Sequence, residues 1–284
     1  MIRLFVSDLD GTLLTNDKLI NYRVSDENRQ ALSTLINSGV RFVAASGRHH
    51  NNSIQIAEDL GFPFDAIGSN GATIMRNGKC IRHRHVDREQ ITYVIDTLYE
   101  MNAWDRIGCF VANNNYEHIF NEPHNWLFNK FEDSYKKGQF GPCLDMPLNE
   151  YIHNPHSPIP TKLVIEIKEG EDINEWLTIC RDKFADGFDI FASGSIYIEF
   201  VAPSVSKGEA IRYLMKEYNL NEDEVAVIGD AANDISMFLT CNHSYCMHTA
   251  TPSVKKYADK IVKTAAEAMY DVLAKNERER TQQL

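Results

Sequence analysis

Short apolar runs alternate with amphipathic segments at both ends of the chain. Runs of strand length lie at 2–8, 40–45, 65–68 and 225–229. Apolar residues at helical spacing mark the segments 25–38, 50–60, 207–218 and 234–239. Short apolar strands separated by amphipathic helices are typical of βαβ units, whose parallel strands are covered on both faces. The pattern therefore predicts an α/β fold with a Rossmann-like, doubly wound parallel sheet.

The middle of the chain has a different pattern. Asp87-Arg88-Glu89-Gln90 resembles a capping box that opens a helix. After it we predict a hairpin over 107–120, helices over 123–136 and 171–184, a proline-rich loop over 141–160, and strands over 162–167, 188–192 and 196–201. This is an α+β insertion large enough to be a domain. We therefore predict a core of 1–82 with 196–284, an inserted domain of 83–195, and a frayed end from Asn276 to Leu284.

Polar residues whose side chains could take part in catalysis or metal binding follow the apolar runs. Asp8 and Asp10 end the first run, Ser46 closes the second, and Asp230 follows Val225–Gly229. The carboxyl ends of parallel strands share one edge of a sheet, so these side chains are expected to meet there. Two acids at the mouth of a buried strand repel each other, and a divalent cation removes that conflict. The pattern thus indicates a metal-assisted site in which one carboxylate acts as a nucleophile and another donates and accepts protons.

Composition narrows the function classes. The 284 residues are 43% hydrophobic and carry a net charge of −11, which disfavours a nucleic-acid surface. No apolar run reaches the roughly 18 residues of a membrane span, and no signal peptide is evident. The six cysteines form no C-x-x-C pair, so we expect neither a zinc site nor a disulfide framework. We expect a cytoplasmic enzyme without nucleic-acid or membrane partners; its oligomeric state stays open, and a monomer is compatible with the sequence.

Four motifs carry a family resemblance. Asp8-Leu9-Asp10-Gly11-Thr12 resembles the D-x-D-G-T signature of the haloacid dehalogenase (HAD) superfamily, and Ser46-Gly47-Arg48 its second motif. The segment 199–207 reads E-x-x-x-P-x-x-x-K and is similar to the E-x-x-P-x-x-x-K segment of the Cof-type branch, and residues 229–237 are similar to its G-D-x-x-N-D-x-x-M. The loop 69–72, Ser-Asn-Gly-Ala, also resembles that branch. The resemblance covers residues 2 to 262 and implies a HAD-fold core with a C2-type cap inserted between the second and third motifs.

The resemblance implies roles for individual residues. Asp8 would be the nucleophile and Asp10 the general acid and base, with the Asp10 backbone carbonyl as a metal ligand. Mg²⁺ would bind Asp8, Asp10 and Asp230, with Asp234 orienting a metal-bound water. The phosphoryl group would be bound by the following residues: Leu9, Ser46, Gly47, Lys207 and Asn233. We expect Thr12 to hold the loop together, and we leave Arg48 open between a site role and a surface ion pair.

The expected function is Mg²⁺-dependent hydrolysis of a small phosphorylated metabolite, with a sugar phosphate as the leading class. Two alternatives remain open at this point, a phosphomutase of the same superfamily and a non-catalytic sensor of phosphorylated metabolites. Lys136-Lys137 gives the mutase weak support. The chain departs from the branch at His248-Thr249, where many members have Gly-Asn, and at Ala268-Met269, where they have Gly-Val. We interpret these departures as changes in the shape of the site's rim.

Overall fold

The computed structural model describes residues 1–15, 23–115, 117–120, 142–144, 146–193 and 195–282. The strands are β1 (Leu4–Asp8), β2 (Leu14–Thr15), β3 (Arg23–Val24), β4 (Arg41–Ala45), β5 (Asp65–Gly68), β6 (Thr73–Arg76), β7 (Lys79–His83), β8 (Ile107–Asn113), β9 (His118–Phe120), β10 (Pro160–Ile167), β11 (Asp189–Ser193), β12 (Tyr197–Val201), β13 (Val225–Gly229), β14 (His243–Met247) and β15 (Lys260–Val262). The helices are α1 (Asp26–Asn37), α2 (His50–Leu60), α3 (Arg88–Glu100), α4 (Leu148–His153), α5 (Ile173–Phe184), α6 (Lys207–Tyr218), α7 (Ile235–Phe238), α8 (Pro252–Lys255) and α9 (Ala265–Gln282).

The described residues divide into two compact units, Met1–His83 with Ser206–Leu284, and Arg84–Val205. In the first unit an eight-stranded sheet has the order β15-β14-β13-β1-β4-β5-β6-β7. Pairing is parallel from β15 to β5, and the β6–β7 hairpin extends the sheet with antiparallel strands. The central strands β1, β5 and β13 are buried at every position, as expected for strands covered on both faces. The predicted α/β class is confirmed.

Helices cover both faces of this sheet. Leu32, Leu35 and Met269 belong to an apolar cluster that packs α1 and α9 against one face. Ile211 and Leu214 belong to a second cluster, which packs α6 against the other face together with residues of α7 and α8. None of the described helices has the length and hydrophobicity that a membrane span requires.

The second unit consists of two layers, one antiparallel sheet and one layer of helices. Its antiparallel sheet has the order β11-β12-β10-β8-β9. Every second side chain of β10, such as Leu163 and Ile165, points to one face, where it joins one apolar cluster with residues of α3, α4 and α5. The largest side chains in this cluster are the buried Trp176 and Tyr151.

The structure changes three sequence-based expectations. The second domain boundary lies at 205/206 rather than 195/196, because β12 pairs with β10 and β11 and so belongs to the inserted unit. The segment 141–160 contains the helix α4, because Leu148, Tyr151 and Ile152 supply an apolar face for that unit's core. The helix predicted over 123–136 and the Lys136-Lys137 pair lie outside the described residues.

The third change is at the C-terminus. Helix α9 continues to Gln282, so the expectation of a frayed segment from Asn276 is wrong for most of its length. Asn276 is buried: its Nδ2 donates to the Ile2 carbonyl at 2.8 Å, and its Oδ1 accepts from the Ile2 N–H at 2.7 Å. These two hydrogen bonds satisfy the N–H and the carbonyl of Ile2, just before β1. The polar side chain of Asn276 can therefore be buried.

Candidate active site

The loop after β1 is tied to the loop after β13. Asp8 ends β1 and is only 6% exposed. Gly11 has φ +82°, and a Cβ there would lie 2.5 Å from Asp230 Oδ2, so only glycine permits this close turn. The Thr12 hydroxyl donates to Asp230 Oδ1 at 3.2 Å. Two strands that neighbour each other in the sheet therefore bring Asp8 and Asp230 to one edge, with Thr12 holding the two loops together.

Lys207 lies between two carboxylates. It begins α6 and is fully buried. Its Nζ is 2.5 Å from Asp8 Oδ1 and 2.6 Å from Asp234 Oδ1. A fully desolvated ammonium requires such partners, because an isolated buried charge is strongly unfavourable. The sequence separation of these residues is large, so the arrangement depends on the whole α/β fold.

Asp234 is held from both sides. Its Oδ2 accepts from the backbone N–H groups of Asp230 at 2.9 Å and Ala231 at 3.0 Å, while Oδ1 accepts from Lys207. A Cβ at Gly229 would collide with the Asp234 carboxylate, so the close approach depends on glycine. Asp234 thus fixes the turn that presents Asp230 and also balances the charge of Lys207.

Burial sets the proton affinities here. Burial raises the pKa of Asp8 well above its usual value of 3.8, and the nearby Lys207 only partly opposes this. Burial also raises the pKa of Asp230 to about 6, with a further contribution from the Asp234 charge. Burial alone would lower the pKa of Lys207, but Asp234 and Asp8 outweigh it and hold that pKa above the usual 10.5. Lys207 is therefore a permanent cation among three acids.

The donor set fits a hard divalent cation. Carboxylate oxygens of Asp8, Asp230 and Asp234 lie within 4.8 Å of one another. Three acids face one lysine, and a bound cation would stabilise the ionised carboxylates of Asp8 and Asp230 against the burial that raises their pKa values. All-oxygen donors suit Mg²⁺ rather than softer metals. The residues of this cluster are therefore compatible with a divalent metal.

Asp10 is directed to a different partner. Arg48 donates from Nε to Asp10 Oδ2 at 2.8 Å and from Nη2 to Oδ1 at 2.5 Å, a bidentate pair. The Asp10 carboxylate is 40% exposed, in contrast to the buried Asp8. Of the two possibilities left open for Arg48, the structure therefore favours a place in the site. The signal available in the sequence was its position directly after Ser46-Gly47.

The predicted phosphoryl-binding residues surround this edge on several loops. The Ser46 Oγ accepts from the Arg48 N–H at 3.0 Å, which leaves its own O–H as a donor. The Leu9 side chain is in the core, so only its backbone can serve a ligand. Asn233 lies in the 3₁₀ turn after β13, and its Nδ2 donates to Asn70 Oδ1 at 2.9 Å.

Two further observations concern residues without an assigned role. Asn70 was noted only as part of a family-like loop, yet its amide lies beside Gly47, where a Cβ would be 3.2 Å from Asn70 Oδ1. His248 and Thr249 lie after β14 and are exposed. Neither has a positive φ, so the turn does not need the glycine that many family members carry there. The His248 backbone is held by Val262 at 2.8 Å.

Comparison with protein families identifies the chain. The family of haloacid dehalogenase-like hydrolases matches residues 5–273, which is most of the chain. The chain belongs to this family. The resemblance stated from its four motifs is thereby confirmed, as is the expectation of a phosphatase-type hydrolase.

Individual relatives cover nearly the whole chain. The phosphatase YwpJ of Bacillus subtilis is 24% identical over 280 residues, with 93% of this chain and 95% of that protein covered. The 5-amino-6-(5-phospho-D-ribitylamino)uracil phosphatase YbjI of Escherichia coli is 23% identical, covering 89% and 88%. A solved haloacid dehalogenase-like hydrolase from B. subtilis superimposes with a TM-score of 0.77 at 23% identity, covering 94% and 96%. At that identity the structural likeness shows the fold alone.

Proposed function

We propose that this protein is a Mg²⁺-dependent phosphatase that hydrolyses a small phosphorylated metabolite, with a sugar phosphate as the leading class, through an aspartyl-phosphate. The observation that carries the proposal is the buried contact of Asp8 with Lys207, next to Asp230 and Asp234. A binding protein has no need of a buried carboxylate whose charge must be balanced by lysine. A carboxylate nucleophile that attacks a phosphate dianion needs such a lysine, because the carboxylate and the phosphate are both negatively charged.

The proposed reaction has two displacements. In the first, an Asp8 carboxylate oxygen attacks phosphorus, the bond from phosphorus to the ester oxygen breaks, and Asp10 gives its proton to that oxygen. In the second, Asp10 takes a proton from water, the water oxygen attacks phosphorus, and the acyl phosphate bond to Asp8 breaks. Free phosphate and the alcohol are the products, and both carboxylates return to their initial states.

The other residues supply charge and orientation. Lys207 would neutralise charge on Asp8 and on the phosphoryl oxygens, while the Ser46 hydroxyl, the Leu9 and Gly47 N–H groups and the Asn233 amide would donate hydrogen bonds. The metal would be held by Asp8, the Asp10 backbone carbonyl and Asp230, with Asp234 orienting a bound water. When bound, Mg²⁺ would stabilise the negative charge of the transferring group.

Product analysis tests the proposed function. The full-length protein is incubated with sugar phosphates, nucleotides and a phosphorylated ribitylamino-pyrimidine, with Mg²⁺ or with EDTA. We expect inorganic phosphate to be released from at least one compound in Mg²⁺ and from none in EDTA. An isomerised phosphosugar without free phosphate would indicate a mutase. Saturable binding without turnover would indicate a sensor, and either of these two results would refute the phosphatase.

The raised pKa of Asp230 predicts a pH-dependent response to Mg²⁺. Its pKa is about 6 in the metal-free fold against an ordinary 3.8. Between these values the native state holds a proton that the unfolded chain has released, so this group makes metal-free stability fall as pH rises through that window. Mg²⁺ would oppose that loss, because it favours the ionised carboxylate. We expect a larger Mg²⁺-induced rise in Tm at about pH 7 than at about pH 5.

Thermal unfolding with and without Mg²⁺ at the two pH values is the measurement. The matched variant is Asp230→Asn, in which this pH dependence should be reduced, with the remainder coming from Asp8, whose pKa burial also raises. Equal Mg²⁺-induced shifts at both pH values in the unmodified protein would contradict the prediction.

A further inference from the structure

We propose that Asn70 is a positioning residue of this site, which sets the orientation of the Asn233 amide toward the phosphoryl group. The inference rests on the proposed function, because it assigns a purpose to Asn233 as a donor in that reaction. It concerns a turn, Ser69–Gly71, whose residues were noted in the sequence without a role.

The turn has an unusual backbone for its composition. Ser69 has φ +49° and Asn70 has φ +57°, and both are buried. Consecutive non-glycine residues in the left-handed region are disfavoured, and they persist only where the surroundings enforce them. Such strain is concentrated at functional sites, which makes the contacts of this turn informative.

The turn contacts the loops that carry three of the four motifs. The Asn70 N–H donates to the Ser46 carbonyl at 3.0 Å. At Gly71, with φ +112°, a Cβ would collide with the carbonyl of Ser206, the residue that precedes Lys207. The Asn70 side chain accepts from Asn233 Nδ2 at 2.9 Å. Asn70 therefore lies where the loops after β4 and β13 and the start of α6 converge.

The hydrogen bond to Asn70 decides what Asn233 offers to a ligand. An amide nitrogen carries two hydrogens, so donation to Asn70 Oδ1 leaves one N–H for a phosphoryl oxygen. The Asn233 Oδ1 is buried and has no hydrogen-bond partner among the described residues, which leaves it available to accept from a bound ligand or water. Without Asn70, the amide could rotate about its terminal torsion, and its N–H would lose its fixed direction.

The test separates the side chain from the strained backbone. In Asn70→Gly the amide is removed, and glycine adopts the same φ without strain, so the relief of strain offsets part of the lost hydrogen bond and Tm should change little. We expect the apparent Kd for tungstate or inorganic phosphate, measured by calorimetry in Mg²⁺, to rise at least about tenfold, as for a lost hydrogen bond to a charged group. For a substrate that is turned over, KM should rise by a similar factor. Asn77→Gly is the matched control, an exposed asparagine at φ +49° that should leave affinity unchanged.

A double-mutant cycle shows whether Asn70 acts through Asn233. We expect Asn233→Ala to weaken oxyanion binding, and Asn70→Gly to add nothing further in that background. A merely structural role of the turn would weaken binding equally in both backgrounds, and that result would overturn the proposal. So would unchanged affinity in Asn70→Gly or in Asn233→Ala alone.

The proposed function and this inference fail in different ways. If the unmodified protein releases no phosphate from any compound, the phosphatase proposal fails, while the tungstate titrations still decide the role of Asn70. If it turns over substrate and Asn70→Gly matches it in both KM and tungstate affinity, only the inference fails. Absence of tungstate and phosphate binding by the unmodified protein would overturn the inference as well, because no oxyanion site would exist.

Discussion

Replacing Asp8 by asparagine is expected to abolish turnover. An amide cannot form the acyl phosphate, so kcat should fall by about 10⁴-fold or more, the scale seen when a covalent nucleophile of a hydrolase is removed. The fold should survive, because Lys207 keeps Asp234 as its charged partner and a neutral amide has a shape similar to that of the carboxylate. Phosphate release under saturating substrate is the measurement, with Tm as the test of folding.

A direct chemical test accompanies this variant. Acid-quenched wild-type protein, mixed rapidly with substrate, should carry a phosphoryl group on the peptide that contains Asp8, and Asp8→Asn should not. Asp59→Asn, which removes an exposed carboxylate on α2, is the matched control and should retain full activity. A phosphoryl group on another peptide, or retained turnover in Asp8→Asn, would refute Asp8 as the nucleophile.

Replacing Lys207 by methionine should reduce both activity and stability. Methionine has a similar length, so it fills the space but leaves Asp8 and Asp234 without their shared ammonium. Removing one partner of a buried ion pair costs roughly 3–5 kcal/mol, because the remaining charge stays desolvated. We expect the free energy of unfolding in EDTA to fall by about that amount, and Mg²⁺ to restore part of it because the metal can neutralise the same carboxylates.

Urea unfolding in EDTA and in Mg²⁺, together with phosphate release, measures these effects. Lys216→Met is the matched control, because Lys216 is an exposed lysine on the same helix α6. Surface substitutions of this kind change stability by no more than about 0.5 kcal/mol. An unchanged urea midpoint in Lys207→Met would contradict the interpretation that Lys207 stabilises the site.

The local pattern of apolar and polar residues was sufficient to predict elements of the core. The strand Asp65–Gly68 and the helix Lys207–Tyr218 have the bounds expected from the sequence, because apolar periodicity and capping residues such as Ser206 are local signals. The edge at which Asp8, Ser46 and Asp230 meet was also predictable. Parallel strands place their carboxyl ends together, whatever their order in the sheet.

Pairing over long distances was not predictable in the same way. The strand over 196–201 was expected among the elements of the insertion, yet the boundary was placed before it, and only its pairing with β10 and β11 moves the domain boundary. Likewise, Asn276 is polar and near the end of the chain, features that favour fraying. Its two hydrogen bonds with the Ile2 backbone exist only once α9 packs beside β1.

By itself the sequence determined the class of fold and the family, and it predicted the acids and the lysine of the candidate site. These depend on residue type, short spacing and strand ends, which are written along the chain. The tertiary structure alone decided that Arg48 holds Asp10, that Lys207 lies between Asp8 and Asp234, and that Asn70 holds Asn233. Each of these contacts joins residues that are far apart along the chain. Each therefore depends on tertiary packing that the local sequence does not encode.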